Sequence, residues 1–151
     1  MGKQTGITMI EILVALFVLA VGLLGTASLQ VRSVQDTGNS NLRSVATYLA
    51  TSMSDRIRAN RIAMEAGTYD SMLNAAINAD CIGAAGCTAT EMANHDKQQW
   101  LNNITQSLST EATGTIARNG DLFTLLVTWP ERVKQSGASI ADGTVSLTFE
   151  P

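Results

Sequence analysis

The stretch GITMIEILVALFVLAVGLLG, residues 6–25, decides how the rest of the chain is read. After Glu11 come fourteen residues, 12–25, without a polar side chain. Over the looser flanks, residues 7–27, only Thr8, Glu11 and Thr26 are polar. At ~1.5 Å per residue, a helix of that length spans roughly 31 Å, close to the thickness of a bilayer's hydrocarbon core. A carboxylate at mid-membrane costs about 2.5–3.5 kcal/mol, and less near the interface. Two ordinary readings are a Sec signal peptide, with Lys3 as its basic end and Gly25-Thr26-Ala27 as its cleavage site, and a plain single-pass anchor. Both leave Glu11 without a reason.

A third reading supplies one. GITMIE followed by a long aliphatic run resembles the processing site of type IV prepilins and the related pseudopilins. The resemblance implies that Met1 to Gly6 form a leader, cut on the cytoplasmic side after Gly6. Ile7 then becomes the first mature residue and is methylated on its amine. Glu11 is implied to meet the N-terminal amine of a neighbouring subunit during assembly. The electrostatics agree. Cleavage creates a cation at Ile7, and Glu11 lies four residues on, one helical turn away. In an apolar bundle each charge needs a partner, so the acid selects one axial register between subunits.

Charge divides the remainder. Residues 29–62 hold five Arg against two Asp, a local charge of +3, whereas residues 63–151 hold four basic and ten acidic side chains, a local charge of −6. A basic stem and an acidic head are thus two physically distinct parts. The overall charge of −3 gives no reason to expect nucleic-acid binding. Val31, Val34, Leu42, Val45, Leu49, Met53 and Ile57 recur at spacings of three, four or eight, which predicts one apolar face of a helix. Residues 37–41, TGNSN, are poor helix formers and predict a bend or loosening. The helix is expected to end near residues 61–67, with Gly67 as its stop.

Residues 63–95 read as a loop with one short helix around residues 69–79. A second helix is predicted over residues 92–109, with Trp100, Leu101, Ile104 and Leu108 on one side. The pattern then turns to β. Residues 113–118 and 122–129 flank Asn119-Gly120, which predicts a type I′ hairpin. Residues 144–149 alternate, with Val145, Leu147 and Phe149 inward. The expected fold is α+β: a long N-terminal helix packed on a small antiparallel sheet of three or four strands.

The stretch MSDRIRANRIAMEAGTY, residues 53–69, and LLVTWPE, residues 125–131, resemble the corresponding regions of minor pilins of the PilV kind, the type IV pilus modification proteins. Arg56, Arg58 and Arg61 have two readings: solvated cations complementing a helix C-terminus, or contacts to another subunit. The division implied is a leader (1–6), a membrane or filament-core half-helix (7–28), an amphipathic half-helix (29–62) and a periplasmic head (63–151). The resemblance implies a single pass through the inner membrane, incorporation into a pilus, and prepilin peptidase, other minor pilins and the major pilin as partners. Two alternatives are a type II secretion pseudopilin and a Sec-secreted soluble binding domain.

Cys81 and Cys87 enclose a short loop, and in an oxidising periplasm they are expected to pair, adding roughly 2 kcal/mol. Five intervening residues do not make a redox CxxC. His95, the only histidine, reads as a surface residue, and two thiols with one imidazole are too few for a zinc site. No nucleophile has a base and an orienter at useful spacing, so neither an enzyme nor a cofactor is expected.

Overall fold

A computed structural model of the chain describes residues 6, 8–131 and 141–151. The leader residues 1–5 and the expected mature terminus Ile7 lie outside the described residues, as do residues 132–140. Helix α1, Met9–Ala59, is followed by the short helix α2, Arg61–Glu65, a 3-10 turn at Ala79–Ile82, and helix α3, Ala89–Ser107. Strands β1 (Thr113–Asn119), β2 (Leu122–Glu131) and β3 (Ala141–Phe149) complete the chain. They form one antiparallel sheet in the order β1-β2-β3. The chain divides into two compact units, Met1–Gly38 and Asn39–Pro151.

In the first unit every described residue up to Gly38 is exposed. In the second unit Ala46, Leu49, Ala50, Met53 and Ile57 are buried at helical spacing and join one core with Trp100, Ile104, Ile116, Phe123, Leu125, Val127 and Trp129. The predicted apolar stripe is therefore half right. Val31 and Val34 are exposed, Leu42 and Val45 half-buried, and only Leu49, Met53 and Ile57 fully covered. Residues 37–41 stay helical. No proline interrupts them, and the Thr37 and Ser44 hydroxyls donate to carbonyls one turn back rather than opening the backbone.

Helix α1 ends earlier than expected, at Ala59. Asn60 takes a non-helical conformation and its side chain accepts from the Ala63 N–H, starting α2 afresh. Gly67 is a C-terminal stop, but of α2: its φ is +75°, its N–H donates to Met64 O, and the Thr68 N–H donates to Ala63 O. The helix expected at residues 69–79 is absent; that segment is turns and bends, and only Ala79–Ile82 coils, as a 3-10 turn. Helix α3 begins three residues before the predicted start. Thr88 and Glu91 form a reciprocal capping box there, and Thr88's N–H and hydroxyl hold the Glu91 carboxyl below its usual range.

Sheet register explains the two close glycines. Trp129 faces Gly143 across β2 and β3, and a Cβ at Gly143 would lie 2.4 Å from the indole. Gly114 of β1 lets Trp100 and Ile104 of α3 lie against the sheet, where a Cβ would come within 2.6 Å. The hairpin turn differs from expectation. Asn119 pairs with Leu122, so the central residues are Gly120 and Asp121, and only Gly120 has positive φ (+61°). That is the pattern of a II′ turn, not of I′ centred on Asn119.

Candidate functional site

The N-terminal segment is defined by what it lacks. Within α1, the side chains from Met9 to Leu24 are apolar except for Glu11, and the large ones among them are all exposed. This is the one helix among the described residues long and apolar enough to cross a membrane. Glu11 lies in its first turn, and its N–H donates to Thr8 O (3.1 Å). A negative charge there is stabilised by the helix dipole by about 0.3–1 kcal/mol. That is well short of the about 2.5–3.5 kcal/mol a carboxylate costs at mid-membrane, so the dipole alone does not account for an acid in lipid. Gly6 is exposed, with nothing within 4 Å of where a Cβ would stand.

The three arginines of the stem have three different environments. Arg56 is drawn into the second unit: its Nη1 donates to Asp96 Oδ1 (3.0 Å) and Gln99 Oε1 (2.6 Å) of α3. Asp96 also accepts from the buried Tyr69 hydroxyl (2.8 Å), and Asn60 Nδ2 reaches both that hydroxyl (3.4 Å) and Ala89 O (2.8 Å). Burial, then the adjoining Asp96 carboxylate, pushes the Tyr69 phenol well above the usual tyrosine range. This network joins the end of α1, the start of α2 and the first half of α3. Arg58 stacks over Phe149, 4.7 Å from the ring centroid, and Phe149 in turn stacks on Phe123 at 5.8 Å. Arg118 lies over the Phe123 ring at 5.0 Å. Arg61 is exposed and, among the described residues, pairs only with Glu65 on its own short helix (3.3 Å).

Cys81 and Cys87 are bonded to each other and leave no free thiol. The bond closes a loop of exposed residues, Ile82 and four small ones, just ahead of the α3 capping box. His95 is not on the surface: it is 3 % exposed, and its Nδ1 accepts from the Asn78 N–H (3.1 Å). That bond assigns the proton to Nε2. No group of three or more His, Cys, Asp or Glu side chains able to hold a metal occurs among the described residues. Sequence reasoning missed Tyr69, Asp96 and Lys97. All three are polar groups in polar stretches, and nothing in their spacing marks them as buried.

The geometry defines the class first: a bare apolar helix with one acid in its first turn, followed in the chain by an α+β head. Comparison with known families finds two matches, which together reach from the N-terminus into α3 and stop short of the sheet. Residues 1–27 match the prokaryotic N-terminal methylation motif, and residues 28–98 match the family described as Type IV pilin Tt1218. By these two adjoining matches the chain is similar to type IV pilins over residues 28–98 and carries an N-terminal methylation motif over residues 1–27. Neither curated proteins nor solved structures yield a match to it. Pilins are structural proteins, and such a motif implies peptidase processing and a place among pilus components.

Proposed function

We propose that this chain is a minor pilin of the PilV kind, cut after Gly6, methylated at Ile7, held by α1 in the inner membrane with its head in the periplasm, and then incorporated into the complex that starts or modifies a pilus. The observation that carries this reading is the exposed apolar stretch of α1 from Met9 to Leu24, with Glu11 as its single charge. In lipid that helix stores the subunit; in a filament the same surface becomes the core. Glu11 sets register by taking the amine of a neighbour's first residue, which removes two costly charges from an apolar interior at once. The half-helix over residues 29–62 and the head over residues 63–151 then present partner surfaces. The exposed Arg61 and the outer edge of Arg58 are the parts of the basic cluster best placed to reach another minor pilin or the major pilin, since Arg56 is engaged at Asp96.

Mass spectrometry of the mature protein tests the processing. The expected N-terminus is a methylated Ile7; a start near Ser28 would replace this reading with a Sec-secreted domain. For the register role, Glu11→Ala should leave cleavage and membrane insertion intact while filament incorporation falls at least ten-fold. Wild-type piliation in that variant would refute it.

A further inference from the structure

Four consecutive residues of α3 hold the irregular segment 68–78, and one of them is the chain's only histidine. Asn94 O accepts from the Ala76 N–H (3.1 Å), and Asp96 Oδ2 accepts from the Tyr69 hydroxyl (2.8 Å). The Lys97 ammonium donates to the carbonyls of Thr68 (2.9 Å), Ser71 (3.4 Å) and Leu73. His95 Nδ1 accepts from the Asn78 N–H (3.1 Å). Asn78 is a hub. Its side chain accepts from the Asp80 N–H (3.0 Å) and its carbonyl from the Cys81 N–H (3.3 Å). It therefore starts the 3-10 turn that leads into the disulfide loop.

The bond from Asn78 requires a neutral imidazole. Nδ1 accepts through its lone pair, and a proton placed there turns it into a second donor facing the first. The ring has little else to hold it. His95 is 3 % exposed, and its Nε2, like the Asn94 Oδ1 next to it in sequence, is buried with no partner among the described residues. A ring that makes one bond and leaves one buried N–H unpaired is held weakly, so losing that bond is enough to release it.

No charged group on the surrounding elements compensates for a proton there. On α3, Glu91 is bound by Thr88, Asp96 by Tyr69 and Arg56, and Lys97 by its three carbonyls. On α1, Asp55 pairs with Arg58 (3.6 Å), and on α2 Arg61 pairs with Glu65 (3.3 Å). Asp70 pairs with Arg118 of β1 (3.4 Å), and Asp80 is exposed on the 3-10 turn. Among the described residues no carboxylate pairs with the imidazole.

We propose that His95 is a pH-sensitive clasp: protonation of its imidazole releases the Asn78 N–H and opens residues 74–80, while the rest of the head stays folded. The opening has fixed limits. Upstream, Lys97 keeps the carbonyls of Thr68, Ser71 and Leu73; downstream, the Cys81–Cys87 bond closes its loop. A free imidazole takes its proton near pH ~6.5, so the anchor is intact above that range and is lost as the pH falls below it. Acid thereby reshapes a stretch that carries Ile77, 53 % exposed even when the clasp is closed. The occasion for such a change rests on the proposed placement of the head outside the inner membrane, where the medium sets the pH; the clasp itself does not.

The full chain in detergent micelles is followed by amide exchange and by nitrogen NMR of its single imidazole, at about pH 7.5 and about pH 5. Exchange is expressed as protection relative to the unfolded chain at the same pH. At the higher pH the ring should be neutral with its proton on Nε2, and the Asn78 amide protected. At the lower pH the imidazolium signal should appear while protection of Asn78 and Asp80 falls roughly ten-fold or more, with α3 around Trp100 unchanged. His95→Asn places an oxygen at the same remove from Cα and does not titrate, so its protection should not change between the two pH values. An imidazolium formed with Asn78 still protected, or wild-type protection that ignores pH, would overturn the clasp. So would an acid loss shared by the helix around Trp100, or one equally large in His95→Asn.

Discussion

Leu24 and Leu49 belong to the same helical element and have opposite fates: one is 72 % exposed, the other 5 %. Helix propensity and hydrophobicity treat them alike. What differs is the supply of a covering surface within the chain. Around Leu49 the second unit brings Trp100, whose indole N–H also donates to Leu49 O (3.0 Å), and the inner face of the sheet. Around Leu24 no described residue provides such a cover. An apolar surface left bare by its own fold has to be covered from outside, by lipid or by other subunits. The lesson is that burial in this protein is divided between folding and assembly, at a boundary inside one element.

That contrast can be broken or sharpened by substitution. The largest effect should come from Trp100→Ala, which removes a buried indole and its bond to α1; a loss of about 3–5 kcal/mol is expected in thermal unfolding of the full chain in detergent. A loss below about 1 kcal/mol would mean that α1 is not part of the core. Gly143→Ala follows. Its new Cβ would collide with Trp129, and overpacking of this kind costs about 1–3 kcal/mol. An unchanged melting temperature would show that the indole can move aside.

Alkaline titration comes next. The folded state keeps the Tyr69 proton above the usual range, whereas the unfolded chain releases it near pH 10. Protons are then bound more tightly in the folded state, so stability should fall as pH rises past ~10, by about 1 kcal/mol over the first pH unit. In a Tyr48→Phe chain, phenolate absorbance should appear only together with unfolding; an earlier, gradual rise would show that Tyr69 is accessible. The smallest effect belongs to the bare half. Val31→Ser should alter unfolding of the second unit by less than about 0.5 kcal/mol, because no described residue covers Val31. A larger change would place residue 31 in an intramolecular contact.

The elements were largely legible in advance, for local reasons. The long helix, the second helix around Trp100 and three strands follow from apolar period and β-branched content. Their edges were less so. The start of α3 was written in the sequence as Thr88 followed three residues on by Glu91, a capping signal that an apolar count passes over. The end of α1 depends on Asn60, whose amide serves Ala63, Tyr69 and Ala89 together, and only one of those partners is local. The hairpin moved by one residue because strand pairing aligned Asn119 with Leu122 and left Gly120 to carry the positive φ alone.

By itself, the sequence determined that a long apolar helix with one acid near its head is joined to an acidic α+β head, because composition and periodicity act over neighbouring residues. Only the tertiary structure decided which half of that helix is covered, that Arg56 turns inward to Asp96, and that Asn94, His95, Asp96 and Lys97 are spent on holding a loop. Those outcomes depend on groups distant along the chain meeting in space: a carbonyl or a ring fifty residues away leaves no trace in the local pattern. The acid in the first turn and the apolar stretch that follows it are features for which the folded chain supplies no partner among its described residues.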